Sequence, residues 1–261
     1  ERLRVAELNL AAGRTAKSSA AYTAAGSYYL NGTQMLGEAS WESNHGLCFA
    51  LHSELIESDC LTGKFASAEQ LCQLLSNHIQ DLPERARLCE LRIMLYVLQG
   101  RGQDAIRSVS SDLALFGIVL PEDEAQQKAV LDAEFAQASV LLGGRDISAL
   151  LNLPEMKDPL YSLGVNLLNL LAAAAYLCNE TLYGIVILKM VTLSLAHGNV
   201  GPSAFGYANY GFILSGLLGQ FSDGMAFGRL AIDLSEKFQA SELACRLNVV
   251  VGLYQHYSQP L

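Results

Sequence analysis

The chain has 261 residues, of which 51% are apolar and 16% charged, and its formal net charge is −9. That length suits one large domain or two ordinary ones, and so apolar a chain is not disordered. The acidic balance, without clusters of Arg and Lys, argues against a general nucleic-acid-binding surface.

The six cysteines, Cys48, Cys60, Cys72, Cys89, Cys178 and Cys245, form no CxxC pair and lie in apolar, helix-patterned stretches. They read as reduced, buried thiols of a cytosolic protein rather than a disulfide framework. No secretory signal pattern opens the chain, and its first and last residues suggest an excerpt from a longer protein.

Helical periodicity dominates, with almost no strand-type alternation of Val, Ile and Thr. In chain order the pattern predicts helices over residues 1–12, 16–31, 41–61, 65–80, 84–99, 102–116, 122–142, 146–152, 158–177, 181–197, 203–218, 222–238 and 240–257. These pair as hairpins 1–31, 41–80, 84–116, 122–152, 158–197 and 203–238, with a truncated last hairpin at 240–261, in a single helical-repeat domain 1–261.

The first hairpin contains "AGRTAKSSAAY" (Ala12 to Tyr22), which places Gly13, Arg14, Lys17, Ser18 and Ser19 near a predicted helix start. A helix N-terminus flanked by Arg14 and Lys17 is a candidate anion site. The plainer reading is a turn followed by a helix with a solvated basic face. In the next hairpin His45, Cys48 and His52 share one helix face. They are metal-ligand types, but a closed zinc site needs a fourth ligand and none has a matching spacing, so a packing role is the expectation and no metal or cofactor is assigned.

Leu-Pro-Glu recurs at Leu82-Pro83-Glu84, Leu120-Pro121-Glu122 and Leu153-Pro154-Glu155. Proline suits the first helical turn, and the acid faces the positive end of the helix dipole, so each reads as a helix start. The cluster Glu122, Asp123 and Glu124 is explained in the same way rather than as acid–base machinery. Gly201-Pro202-Ser203 reads as a fourth start.

Between these starts a Gly or Asn is followed five residues later by a small residue: Gly63 with Ala68, Gly100 with Ala105, Gly144 with Ala149, Asn179 with Gly184, and Gly219 with Gly224. Phe65, Tyr183 and Phe221 follow the first residue by two. The sets recur roughly every forty residues, a period of stacked helix–turn–helix units. The first residue would end a helix in a left-handed conformation, the aromatic would enter the hairpin core, and the small residue would let two helices approach. This resembles the tetratricopeptide repeat, in which G-x-Y-x-x-A has the same spacing. Its Trp and Leu-Gly positions are mostly missing here; Trp41 is the only Trp. The resemblance implies an all-α, tetratricopeptide-like helix–turn–helix solenoid, a right-handed superhelix with degenerate repeats.

From Pro159 to Ser222 the only formal charges are Glu180 and Lys189. A membrane span is one explanation. Scattered Asn, His and Gln, and the irregular backbone expected at Gly198 to Pro202, favour buried helices instead. Low charge also suggests that something covers one face. Within this region Gly198 and Gly219 would end helices. Gly206, Gly211 and Gly216 fall inside a helix, each costing about 1 kcal/mol relative to Ala. Ala204, Ala208, Gly211 and Ser215 form one narrow stripe on which another helix could lie, with bulky Tyr207, Tyr210, Ile213, Leu214 and Leu217 opposite.

Three stretches carry a wider resemblance: "ELNLAAGRTAKSSAAYTAAGSYYLNGTQML" (Glu7 to Leu36), "ELIESDCLTGKFASAEQL" (Glu54 to Leu71), and "GNVGPSAFGYANYGFILSG" with "FGRLAIDLSEKF" (Phe227 to Phe238). Together they resemble the helical region of very large bacterial signalling proteins. In that family a Ser/Thr protein kinase domain and a STAND-type predicted ATPase precede the helical region, and a GAF sensor with a histidine-kinase or cyclase output often follows. The resemblance implies a non-enzymatic scaffold or sensor arm, partnered by neighbouring ATPase or kinase domains, by another protein or by itself. No Walker motif or His-Arg-Asp loop occurs here, so no catalytic residue is carried over. The alternative is a small-ligand or peptide-binding module whose groove uses Tyr207, Asn209, Tyr210 and Phe212.

The stripe yields a test. Gly211→Leu should destabilise the protein by about 1–3 kcal/mol through overpacking; an unchanged melting temperature would mean that the stripe makes no contact.

Overall fold

The computed structural model describes residues 1–121 and 123–255; Glu122 and the predicted helical end at 256–257 lie outside the described residues. Every regular element is helical, and among the described residues there is no strand, only one isolated bridge between Glu155 and Asn199. The chain divides into two compact units, Glu1–Val109 and Ser110–Leu261.

The first unit comprises α1 (Arg2–Ser18), α2 (Tyr22–Met35), the short α3 (Ser40–Ser43), α4 (His45–Leu61), α5 (Phe65–Ser76) and α6 (Leu82–Leu98). The division between the units falls within α7 (Gly102–Leu115). In the first unit α1 packs on α2, α2 on α4, and α4 on both α5 and α6. Helix α4 serves two cores. Leu51 and Leu55 join Ala6, Ala25 and Tyr29, whereas Ile56 and Cys60 join Ala68, Cys72, Leu75, Leu88, Leu91 and Leu95. A helix buried on two faces needs apolar side chains beyond a single stripe.

The first break corrects the sequence reading. Helix α1 runs through Gly13 to Ser18, and the turn comes at Ala20, which takes a positive φ of 58°. Gly13 is required for a close approach: a Cβ there would collide with the ring of Tyr29. Arg14 and Lys17 therefore lie in the later turns of α1 and border no helix N-terminus.

The second unit comprises α8 (Glu124–Leu142), a 3-10 helix (Ile147–Asn152), α9 (Pro159–Cys178), α10 (Glu180–His197), α11 (Ser203–Leu218), α12 (Phe221–Lys237), a 3-10 turn (Ser241–Leu243) and α13 (Ala244–Gln255). Helix α10 packs on α8, α9 and α11, and α11 packs on α12 and α13. Helix α11 is buried along almost its whole length from Ser203 to Ser215. Helix α12 meets it on the small-residue stripe: a Cβ on Gly224 would collide with Ser215 Oγ and stand 2.7 Å from the Gly211 carbonyl oxygen.

Four α-helix starts follow the capping rule. Asp81, Asp123, Asp158 and Asn179 each accept a backbone N–H of the first turn, with Pro83 and Pro159 just inside the helix. Glu124 lies in the first turn of α8. Gly63, Gly100, Gly144 and Gly219 take positive φ at or near helix ends, and Ala68 and Ala105 are fully buried. Phe65 packs against the second of the first unit's cores.

Five expectations fail here. Leu153-Pro154-Glu155 starts no helix; Pro154 and Glu155 run extended against Asn199. Asn179 has φ −166° and caps α10 with its side chain instead of ending α9 left-handed. Ala149 is exposed on the 3-10 helix, and Phe221 is 41% exposed rather than in a hairpin core. All six cysteines are free thiols, but Cys178 is only half-buried and Cys245 is exposed.

Helices α9 and α10 are long and apolar enough to cross a membrane by length and composition, with 50% and 61% of their apolar windows buried within the protein. Lys189 on α10 pairs with Glu134 of α8 at 2.6 Å, and Thr192 donates to the other carboxylate oxygen.

The turn after α10 is held from several sides. Gly198 has φ 103°, and a Cβ there would collide with the Pro154 carbonyl oxygen. Asn199 N–H donates to Pro154 O at 2.8 Å, and Met156 N–H donates to Asn199 O at 2.9 Å. The Asn199 side chain donates to Leu150 O and accepts from the Tyr207 hydroxyl. Gly198→Ala should cost about 3 kcal/mol in urea unfolding, from φ strain and overpacking together. Gly216→Ala in α11, where a Cβ meets nothing within 4 Å, should instead stabilise by up to about 1 kcal/mol.

Candidate functional site

Three of the five histidines converge on the only Trp. The segment from Gly37 to Ser43 crosses between α2 and α4 and carries Trp41 in α3. Its ring stacks on His78 at 4.0 Å and 3°, and lies 5.0 Å from His52 and 5.6 Å from His45. His45 and His52 come from α4; His78 follows the end of α5. On one side lies a cleft of about 280 Å³ lined by Thr33, Leu36, Glu38, Cys48, Leu74 and the His52 and His78 rings. On the other, a cleft of about 380 Å³ is bordered by Glu42, His45, Asn77 and Ile79.

Each imidazole is held differently. His45 Nε2 lies 2.7 Å from Glu84 Oε1, while Glu84 Oε2 accepts the Gln80 N–H near the start of α6. His52 Nδ1 lies 2.7 Å from the Cys48 carbonyl oxygen, an acceptor, so Nδ1 carries the proton and donates it. Burial pushes His52 below its ordinary value against the effect of that hydrogen bond, and nearby His78 adds to the lowering. Burial also raises the Cys48 thiol. Among the described residues no group of three or more His, Cys, Asp and Glu is placed to hold a metal ion. His45 turns to Glu84 and His52 to its own helix, so the face they share with Cys48 does not converge on a point.

Arg14 and Lys17 take part in a charged network on the same unit. Arg14 Nε lies 3.0 Å from Glu54 Oε1, and Lys17 Nζ lies 2.8 Å from both Glu54 Oε2 and Glu57 Oε1. The Tyr29 hydroxyl also donates to Glu54. Arg87 of α6 reaches Glu57 and Glu90, so the network ties α1, α2, α4 and α6 together. Burial would raise Glu54, but hydrogen bonds from Lys17 and Arg14 hold it below the usual carboxylate range. Both predicted anion-binding cations thus already face carboxylates.

Tyr207, Asn209 and Tyr210 belong to the interior of the second unit, at 0%, 3% and 3% exposure. Tyr207 and Tyr210 pack on Phe227, and Asn209 accepts from the Tyr183 hydroxyl and donates to Phe205 O. Burial pushes Tyr207 and Tyr210 above the ordinary phenol value. Phe212, at 38%, is partly exposed. The exposed apolar side chains of this unit include Tyr176 and Leu177 near the end of α9, Leu217 and Leu218 at the end of α11, and Val249 and Leu253 on α13.

Comparison with known proteins yields one kind of similarity. Over 286 aligned residues the chain is 24% identical to the hybrid signal transduction histidine kinase G of Dictyostelium discoideum. The alignment covers 98% of this chain but only 8% of that protein's length. No protein-family model and no solved structure matches the chain. The similarity fits a signalling-protein context.

The Glu54 network gives a pH-dependent prediction. A carboxyl lowered in the folded state stabilises it above the unfolded value and ceases to do so as pH falls through the folded value. Glu54→Gln should therefore cost about 2 kcal/mol at neutral pH. In urea titrations the gap from the wild type should close below about pH 4.

Proposed function

We propose that the chain is a non-enzymatic, tetratricopeptide-like scaffold or sensor arm of a larger cytoplasmic signalling protein. It would make contacts with neighbouring ATPase or kinase domains, with another protein, or with a second copy of itself. The observation that carries this reading is the similarity of nearly the whole chain to a small fraction of a signal-transduction histidine kinase, which is what an arm within a long multidomain chain would give. The all-helical architecture supports it, since stacked helical hairpins offer extended contact surfaces. So do the exposed Leu177, Leu217 and Val249, because large apolar side chains in water favour a covering partner. In this reading α9 and α10 are core helices, and membrane insertion and nucleic-acid binding play no part.

A second reading is a small-ligand module. The cleft beside Trp41 favours it, in place of the tyrosines of α11, which are buried.

Light scattering and thermal shift separate the two. The scaffold reading expects concentration-dependent association that Leu177→Glu with Leu217→Glu abolishes. It also expects no single nucleotide, metal ion or metabolite to raise the melting temperature strongly. A strict monomer at high concentration would remove the self-association arm. A large shift from one compound, lost in Trp41→Ala, would replace the scaffold by the ligand module.

A further inference from the structure

The segment at residues 37–43 is tied mainly to itself. Ser40 N–H donates to Gly37 O, Trp41 N–H to Glu38 O and Asn44 N–H to Ser40 O. Trp41 is the side chain that reaches outward, onto His78 and His52. We propose that residues 37–43 form a strap latched by Trp41 against His52 and His78, and that proton uptake by His52 releases the strap and opens the cleft beneath it.

The charges around the latch set the direction. His52 and His78 line the same cleft, so a charge on His52 would stand beside a second imidazole in a space that burial shields from water. A proton on His52 is the one that breaks the arrangement, since that ring is hydrogen-bonded inward to Cys48 O and burial opposes its charge. From α4 the other facing groups are His45 and the neutral Cys48 thiol. Glu84 of α6 is engaged by His45 and the Gln80 N–H. The strap contributes Glu38 and Glu42, both exposed. Among the described residues neither His52 nor His78 pairs with a carboxylate. The docked strap thus favours neutral His52, while a released strap lets the ring take up a proton near its ordinary value. Docking is therefore strongest above that value and weakens as pH falls below it. This inference stands apart from the scaffold reading, since the strap can respond to protons whether or not another surface carries a partner.

As the only Trp, Trp41 reports the event directly. Emission of the 261-residue chain should shift to longer wavelength, and become open to iodide quenching, as the pH falls below about 6.5, with far-UV circular dichroism retained. His52→Asn, which keeps a side-chain N–H for Cys48 O but cannot charge, should remove the shift. His78→Asn, which removes the stack on the indole and leaves the inward hydrogen bond untouched, should move the midpoint. Emission that stays flat in the wild type, or changes only with loss of helical signal, overturns the proposal. So does an unaltered shift in His52→Asn or, should that variant not fold, an unaltered midpoint in His78→Asn.

Discussion

The second unit depends on the buried amide of Asn199 and the backbone beside it. Asn199 is wholly shielded from water, and its backbone N–H, backbone carbonyl, side-chain amide and side-chain carbonyl all have partners. Those partners come from the 3-10 helix, the extended stretch after it and Tyr207 of α11. A polar group buried without partners is costly, so each bond fixes the place of the element that supplies it. The extended stretch can come this close only because residue 198 lacks a Cβ. Tyr207 then presents its ring to Phe227 of α12, and the chain of contacts reaches the helix that lies on the small-residue stripe.

Much of the helical layout was legible because its signals are local. Pro83 and Glu84 mark the start of α6 within its first turn, and Gly63, Gly100 and Gly219 show in sequence the left-handed turns they adopt. The misreadings share a cause. Gly13 looks like a turn, but its purpose is set by Tyr29 in the next helix. Pro154 looks like a helix start, but the backbone beyond it is claimed by Asn199, far along the chain. Asn179 follows one helix and precedes another, and sequence alone does not say which end it serves; the structure gives its side chain to the later one. Where a distant partner decides a residue's conformation, local pattern misassigns it.

The candidate site was harder to read for the same reason. His45, Cys48 and His52 were visible as one face, yet the residues that give that face its character, Trp41 and His78, come from a short crossing segment and from the end of another helix. Arg14 and Lys17 looked like free cations because Glu54 and Glu57 are some ten helical turns away in sequence. The tyrosines of α11 looked available because aromatic residues at helical spacing look the same whether they line a groove or fill a core.

The free cysteines carry a consequence of their own. Burial pushes the Cys60 thiol up to about 12 and Cys72 to about 11, and both lie in the core that α4 shares with α5 and α6. A thiol reagent needs the thiolate and a path to it, so these sulfurs react only through openings of that core. Cys245, exposed on α13, has no such gate. The molecule therefore contains its own chemical clock: fast modification at one end keeps laboratory time, and slow modification within the first unit counts how often its interior breathes.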